Sequence, residues 1–386
     1  MVGQRGVPAS FGGVEHHVEE LGSRLAGLGH EVTVFCRTNY TSDRLEVYRG
    51  MKLRYLDTIN TKHFDAIAHS ARSSVAAMRQ RVDVVHYHAM GPGLVAPLPR
   101  FLSRAKVVQT IHGLDQERSK WGRTASGVLN LGCWMSARVP DATVVVSKAL
   151  RDYYTTAYGK QTHYISNGVD ERGDFPAGET LDRYGLVPGT YALFVGRLVP
   201  EKAPDMLLRA FRSLPGDLRL VIVGGSSFTA DYVEEVERMA ADDPRVTMTG
   251  YLHGKELDEL YANAAVFVLP SVVEGMPLTL LEAAAHGTPI LASDIAPHLE
   301  VLGADAPGGR VFRCGNETEL RDALVAMMGQ LPRERQGAEE NRRRVLDEYN
   351  WDNAATRLSD LYRQVCGLLP RPGAPLPRVT SGQSSG

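Results

Sequence analysis

The chain has 386 residues, 43% of them hydrophobic and 23% charged, with a formal net charge of −2 at neutral pH. That composition excludes a disordered, collagenous or disulfide-dense protein, and the length predicts two domains, each able to bury a core of its own. No apolar run reaches roughly 18 residues and the first thirty or so carry no apolar leader core, so a cytoplasmic protein is expected, neither secreted nor membrane-spanning.

The charge is unevenly spread, with 21 Lys/Arg and 14 Asp/Glu in residues 1–170 against 22 and 31 in the remainder. A basic first half suits an anionic acceptor or an anionic membrane surface, or it is chance. No nucleic-acid partner is expected. Cys36, Cys133, Cys314 and Cys366 are far apart, which argues against a zinc site or a disulfide framework and predicts reduced, buried thiols.

In chain order, Val14, Val18, Leu21, Leu25 and Leu28 alternate spacings of four and three, predicting an amphipathic helix stopped by Gly29. Gly12-Gly13 opens it. A glycine pair there is either a plain tight turn or a place where backbone closes on a ligand. A first β-strand is expected ahead of this loop, yet only Met1–Gly6 precede it, so that strand is either very short or lost. Strand-like runs follow at Val32–Phe35, Val82–His88, Val107–His112, Thr143–Val146 and His163–Ile165, with helical pattern between several of them. Alternation of this kind predicts a doubly wound parallel sheet. His112-Gly113 falls where a strand ends, the ligand edge of such sheets; taken alone, His112 has a structural reading beside the functional one, and His86 and His88 read as structural. Lys62–Arg81 places Phe64, Ile67, Ala71, Val75 and Met78 on one helical stripe, with Lys62, Arg72, Arg79 and Arg81 supplying positive charge. Such a helix either packs on its own sheet or docks reversibly on an anionic membrane.

Beyond a turn at Asn167-Gly168-Val169-Asp170, a polar stretch with Gly and Pro to about Pro188 predicts a linker. A second series of strands follows at Tyr191–Gly196, Leu218–Val223, Val246–Tyr251, Ala265–Ser271 and Pro289–Ala292. Gly196-Arg197-Leu-Val-Pro-Glu-Lys202 leaves a strand and enters a helix, either as a solvated loop or as a cationic grip. Glu274-Gly275-Met276-Pro277-Leu278-Thr279-Leu-Leu-Glu282 bridges a strand and a helix. Pro277 suits the first helical position, and the free N–H groups beyond it, with the positive end of the helix dipole, predict an anion seat. A carboxylate at Glu282 would repel phosphate unless it binds another part of the ligand, such as hydroxyls. Trp351–Val365 predicts a last amphipathic helix with Trp351, Ala354, Ala355, Leu358, Leu361, Tyr362 and Val365 on one face, and a disordered tail over 367–386.

The two glutamates eight apart resemble the Glu-x7-Glu motif of the "glycosyltransferases group 1" family (family four), retaining enzymes. Gly12-Gly13, His112-Gly113, Arg197 with Lys202, and Gly250-Tyr251-Leu252 fit the same family in order and spacing. The resemblance implies the GT-B architecture, two facing Rossmann-like doubly wound domains: 1–170 on the acceptor side, 171–350 binding nucleotide sugar, and a helix at 351–366 crossing back. It implies that Gly12 and Gly13 close over a donor diphosphate gripped by Arg197 and Lys202. His112 and Glu274 would meet the donor sugar, Tyr251 and Leu252 the base, and Glu282 the ribose, with Gly196, Gly275, Met276, Leu278 and Thr279 completing the donor site. Sugar would pass from a nucleoside-diphosphate sugar to an acceptor hydroxyl with no cofactor and no metal, the acceptor being either lipid-linked or a small molecule. No Asp-x-Asp is present, and Asp115-Gln116-Glu117 is the nearby acidic pair of comparable spacing that would hold a divalent ion instead. A GT-B epimerase and a degenerate binding subunit share these motifs. A NAD-dependent enzyme does not, because neither glycine-rich turn gives G-x-G-x-x-G with an acid about 20 residues on.

Overall fold

The computed structural model describes residues 1–10, 12–41, 43–58, 65–114, 123–225, 230–303 and 305–369. The strands of the first half are β1 (Thr33–Arg37), β2 (Val47–Tyr48), β3 (Met51–Leu56), β4 (Val84–His88), β5 (Lys106–Ile111), β6 (Ala142–Val145) and β7 (His163–Tyr164). They form two ladders, β1-β3-β2 and β4-β5-β6-β7, and the first residues of the chain lie between them. Phe35 N–H donates to Met1 O at 3.2 Å, Val2 N–H to His86 O at 2.9 Å and His88 N–H to Val2 O at 2.9 Å. This short segment takes the place of the expected first strand, so both ladders continue into one layer. The β2–β3 hairpin was not anticipated from sequence. Its two turn residues, Arg49 and Gly50, have φ of 46° and 80°, and an arginine in the left-handed region hides the turn that Asn-Gly would advertise.

In the second half, β8 (Tyr191–Val195), β9 (Arg219–Val223), β10 (Val246–Gly250), β11 (Val266–Leu269), β12 (Ile290–Ser293) and β13 (Gly309–Phe312) form one sheet in the order β10-β9-β8-β11-β12-β13. Every pairing is parallel. Strands covered on both faces must be apolar throughout, as Tyr191-Ala-Leu-Phe-Val195 and Val266-Phe-Val-Leu269 are, each fully buried. Numbered within the sheet the order is 3-2-1-4-5-6, which reverses between β8 and β11, and the carboxyl edge at such a reversal is where ligands bind.

The helix Trp351–Val365 has the predicted bounds. The Asn350 side chain accepts from Asp352 N–H and Asn353 N–H, satisfying two of the N–H groups a helix start leaves open. Its Trp351, Ala354, Ala355, Leu358 and Leu361 share a core with Val18, Leu21, Leu25, Val34 and Val144, so the last helix does return to the first half of the chain. Gly168 is pressed against it: a Cβ there would lie 2.4 Å from Trp351 N. Cys36 and Cys133 are buried as expected, whereas Cys314 and Cys366 are only partly so. Among the described residues no helix is long and apolar enough to cross a membrane.

Candidate functional site

The loops leaving β8 and β11 meet at the reversal of strand order. After β8, the chain passes Gly196 and Arg197 and turns through Pro200–Lys202. The loop is pinned by Leu198 N–H donating to Gly225 O at 3.0 Å and Gly196 N–H to Val223 O at 3.0 Å. Gly224 permits this approach, since a Cβ at its φ of +140° would stand 1.9 Å from Gly196 O. The Lys202 stem folds back beside Gly196, and its ammonium pairs with the Glu274 carboxylate, the two side chains only 13% and 10% exposed. Burial pushes the Glu274 pKa up, but the Lys202 ammonium and, next, His298 outweigh it and hold the carboxylate below its usual range. His298 is itself driven down to about 4 by burial, against the pull of Glu274.

Pro277 is the cap of the following helix, with φ −74° and ψ 114°, and not its first residue as expected; the helix runs Leu278–Ala285. The consequence is the same, because the first N–H groups of that helix have no partner within it and carry the positive dipole end. Beside them the Thr279 hydroxyl is buried without a hydrogen-bond partner. Glu282, one turn on, accepts from the Tyr261 hydroxyl at 3.1 Å. Arg197 is 38% exposed, 3.9 Å from the buried Glu201. Leu252 is buried. The Tyr251 ring lies over Gly225, its hydroxyl pKa raised by burial, which outweighs the opposing pull of Arg197 and of Arg5 from the opposite half.

The first half closes over this edge. Gly12, at φ 107°, starts the helix Gly13–Gly27, and a Cβ on Gly13 would be 3.4 Å from Leu278 Cδ1. His112 follows β5, and its carbonyl lies so near Gly275 that a Cβ on that glycine would stand 1.8 Å from the oxygen. Asn167 ties the halves together: its Nδ2 donates to Met276 O at 2.9 Å, and its Oδ1 lies 2.8 Å from His17 Nδ1. Four imidazoles cluster here, His112 among them. His88 Nδ1 is 3.3 Å from His112 Nε2 with the rings stacked, His17 meets His112 edge-on at 4.5 Å, and His86 stacks on His88 at 4.3 Å. Burial drives His17 down to about 4 and His88 well below its ordinary value, so both are neutral near pH 7.

Two family models match in tandem, "Glycosyltransferase Family 4" over residues 11–172 and "Glycosyl transferases group 1" over residues 189–330. The chain belongs to the group 1 glycosyltransferases. This glycosyltransferase is 28% identical to the alpha-maltose-1-phosphate synthase of Mycobacterium tuberculosis, over 93% of this chain and 97% of that one. It is 27% identical to the D-inositol 3-phosphate glycosyltransferase of Xylanimonas cellulosilytica, over 93% of each. Among solved structures it resembles sucrose-phosphate synthase from Thermosynechococcus elongatus, with a TM-score of 0.79 at 23% identity, over 93% of this chain and 94% of that one. That structure shares its GT-B fold.

The glycosyltransferase thus brings Gly12, Gly13, His112, Gly196, Arg197, Lys202, Tyr251, Leu252 and the Glu274–Glu282 turn to one interdomain edge. Sequence reasoning missed His17, His88 and Asn167 there. His88 was set aside as structural, and Asn167 was read only as part of a turn; their signal was position, each at or just beyond a strand's carboxyl end. Asp115-Gln116-Glu117 lies outside the described residues, as do Lys62 and Phe64 of the basic stripe. The described remainder of that stripe is the helix Asp65–Gln80, which buries His69, Ser70, Ser73, Ser74 and Ala77. Its apolar residues Ile67, Ala71 and Met78 are only partly covered and Val75 is 37% exposed, so the packed face is small and polar, not the apolar stripe.

Proposed function

We propose that this enzyme transfers a sugar from a nucleoside-diphosphate sugar to an acceptor hydroxyl with retention of anomeric configuration and without a divalent metal. The observation that carries the reading is the Lys202–Glu274 pair beneath the Leu278–Ala285 helix at the sheet's reversal point. The leaving diphosphate gains negative charge in the transition state, so Arg197, Lys202 and the helix start stabilise it more than they stabilise the bound donor. Two unit charges at about 4 Å interact by about 4 kcal/mol at an effective dielectric near 20, enough for two cations to take a metal's place. Glu274 would hold donor-sugar hydroxyls and His112 the sugar's opposite side, with Glu282 on the ribose. No side chain is posted as a covalent nucleophile in this reading; acceptor attack comes from the leaving group's face, and the departing phosphate oxygen takes its proton. Thermal-shift screening against UDP, GDP, ADP, CMP and dTDP identifies the base, a ligand at 100 times its Kd adding about 2.7 kcal/mol. Nucleotide released with acceptor supports transfer, and release of epimerised donor without acceptor supports an epimerase. Loss of transfer in EDTA, restored by Mg²⁺, would overturn metal independence.

For the acceptor we favour a phosphorylated sugar or polyol. By name, one relative makes a sugar phosphate and the other glycosylates an inositol phosphate, and Arg5 and Arg37 stand at the carboxyl edge of the first half within electrostatic reach of each other. Arg37 pairs with Asp65 through Nη1, and its buried Nε has no hydrogen-bond partner. A lipid-linked acceptor fits less well. The most exposed apolar residues near the basic helix, Phe101 and Leu102, each 72% exposed, lie where Leu102, Asp83 and Lys106 line one cavity, at the amino ends of β4 and β5, away from the cleft. Equal turnover of phosphorylated and unphosphorylated acceptors would sink this assignment. Co-sedimentation with phosphatidylglycerol vesicles at low salt, lost at high salt, would favour the lipid reading.

A further inference from the structure

We infer that His17, His88 and His112 form a binding site for a divalent transition metal of the Zn²⁺ type. Among the described residues this is the one group of three or more His, Cys, Asp or Glu side chains placed to hold a metal ion, its ligand atoms all within 4.8 Å of one another. Imidazole nitrogens bind Zn²⁺ at about 2.0–2.1 Å, which puts tetrahedral ligand atoms roughly 3.4 Å apart. His88 Nδ1 and His112 Nε2, at 3.3 Å, already have that spacing.

His17 is oriented for the same task. Asn167 Oδ1 sits on its Nδ1, which as the protonated nitrogen leaves Nε2 as the ligand atom, and that buried Nε2 has no hydrogen-bond partner. A carboxamide or carbonyl oxygen on the far nitrogen is how metal-bound imidazoles are commonly fixed. His86, held by Thr110 and Tyr362, backs the His88 ring. Three nitrogen ligands and no oxyanion select a borderline transition ion over Mg²⁺ or Ca²⁺, which require oxygen. His17 and His88 are fully buried and His112 is partly exposed, so solvent completes the coordination from the cleft side.

Metal bound here draws His112 onto His17 and His88 and away from the donor sugar, so Zn²⁺ inhibits transfer. That consequence rests on the donor-site reading; the binding does not. The test is calorimetric titration of chelator-stripped full-length enzyme with ZnCl₂, together with the visible spectrum of the Co²⁺-loaded protein. The expected result is one equivalent of Zn²⁺ bound and a four-coordinate cobalt spectrum. Affinity should fall at least tenfold in His17→Gln and in His88→Gln, and about 10- to 100-fold in Asn167→Ala. Where a histidine variant does not fold, the wild-type cobalt spectrum still decides: a six-coordinate, water-like spectrum overturns the site, as does Zn²⁺ uptake unchanged in all three variants. Stoichiometric Zn²⁺ with undiminished transfer leaves the site standing and overturns the placement of His112 against the donor.

Discussion

Replacing Gly275 by alanine isolates the approach of the two halves. Gly275 does not use the left-handed region of backbone space, so alanine is conformationally acceptable. What it meets is across the cleft: His112 O at 1.8 Å, His112 C at 2.6 Å and Gly113 Cα at 3.1 Å, all of them backbone. An ordinary carbon-to-oxygen contact is about 3.3 Å, so the halves must part by roughly 1.5 Å. A misplacement of about 1 Å between positioned groups costs about 10²-fold in rate, or about 2.7 kcal/mol. In Gly275→Ala we expect kcat to fall at least about 10²-fold, with a smaller loss of Tm than in Gly224→Ala, because alanine keeps an ordinary backbone conformation at Gly275 and the clash meets the core only through its neighbours Met276 and Ile111. The assay is initial-rate release of nucleoside diphosphate at saturating donor and acceptor, with calorimetric melting of the ligand-free enzyme. Gly224→Ala is the contrast. Its clash with Gly196 O at 1.9 Å and its φ of +140° lie within one sheet, so it should lower Tm markedly. A Gly275→Ala enzyme with kcat within threefold of wild type would refute the argument that closure brings these backbones together for transfer.

Lys202→Met strands the Glu274 carboxylate in a nearly closed pocket, and breaking such a buried pair costs about 3–5 kcal/mol; Lys202→Met with Glu274→Gln should recover most of that stability in chemical denaturation, yet leave kcat down by about 10² to 10³. Glu282→Ala should raise the Kd for the donor in calorimetry with a smaller change in kcat, and Tyr261→Phe, which removes only the 3.1 Å hydrogen bond, should do the same more weakly. Stability should also fall in mild acid: His17 and His298 sit at about 4 when folded against about 6.5 unfolded, so the unfolded chain binds more protons between those values. Tm should therefore be level above pH 7 and drop steadily from pH 6.5 towards 4, less so in His298→Asn.

The sheets were legible because parallel strands buried on both faces must be continuous apolar runs, as Tyr191–Val195 and Val266–Leu269 are. The site edge was legible because glycines and charges cluster where those runs stop. What sequence concealed is tertiary. Asn167 and His17 are 150 residues apart, and only folding brings them into one hydrogen bond. Helical periodicity misled at Asp65–Gln80: apolar spacing pointed one face inward, but the face that packs carries Ser70, Ser73 and Ser74, whose hydroxyls are satisfied by their own helix at Ala66, His69 and Ser70 carbonyls. A serine that bonds back to its helix hides its polarity, and a pattern that counts it as polar assigns the wrong face.

On the proposed donor-site reading, the Lys202–Glu274 pair would set the site's order of events. Before donor arrives, each charge satisfies the other, and the Lys202 ammonium holds the nearly buried Glu274 carboxylate ionised at neutral pH. A diphosphate at the Leu278–Ala285 helix start would compete for Lys202, and Glu274 would then need new partners, which sugar hydroxyls could supply and bare nucleotide could not. An unpaired buried carboxylate is costly, so the pair should break fully only when phosphate and sugar are both present. On that reading, discrimination between nucleotide sugar and free nucleotide would rest on one ion pair: nucleoside diphosphate alone should bind with Lys202 still shared, and the intact donor should bind more tightly than the nucleotide in wild type but not in Glu274→Gln, where no carboxylate waits for hydroxyls.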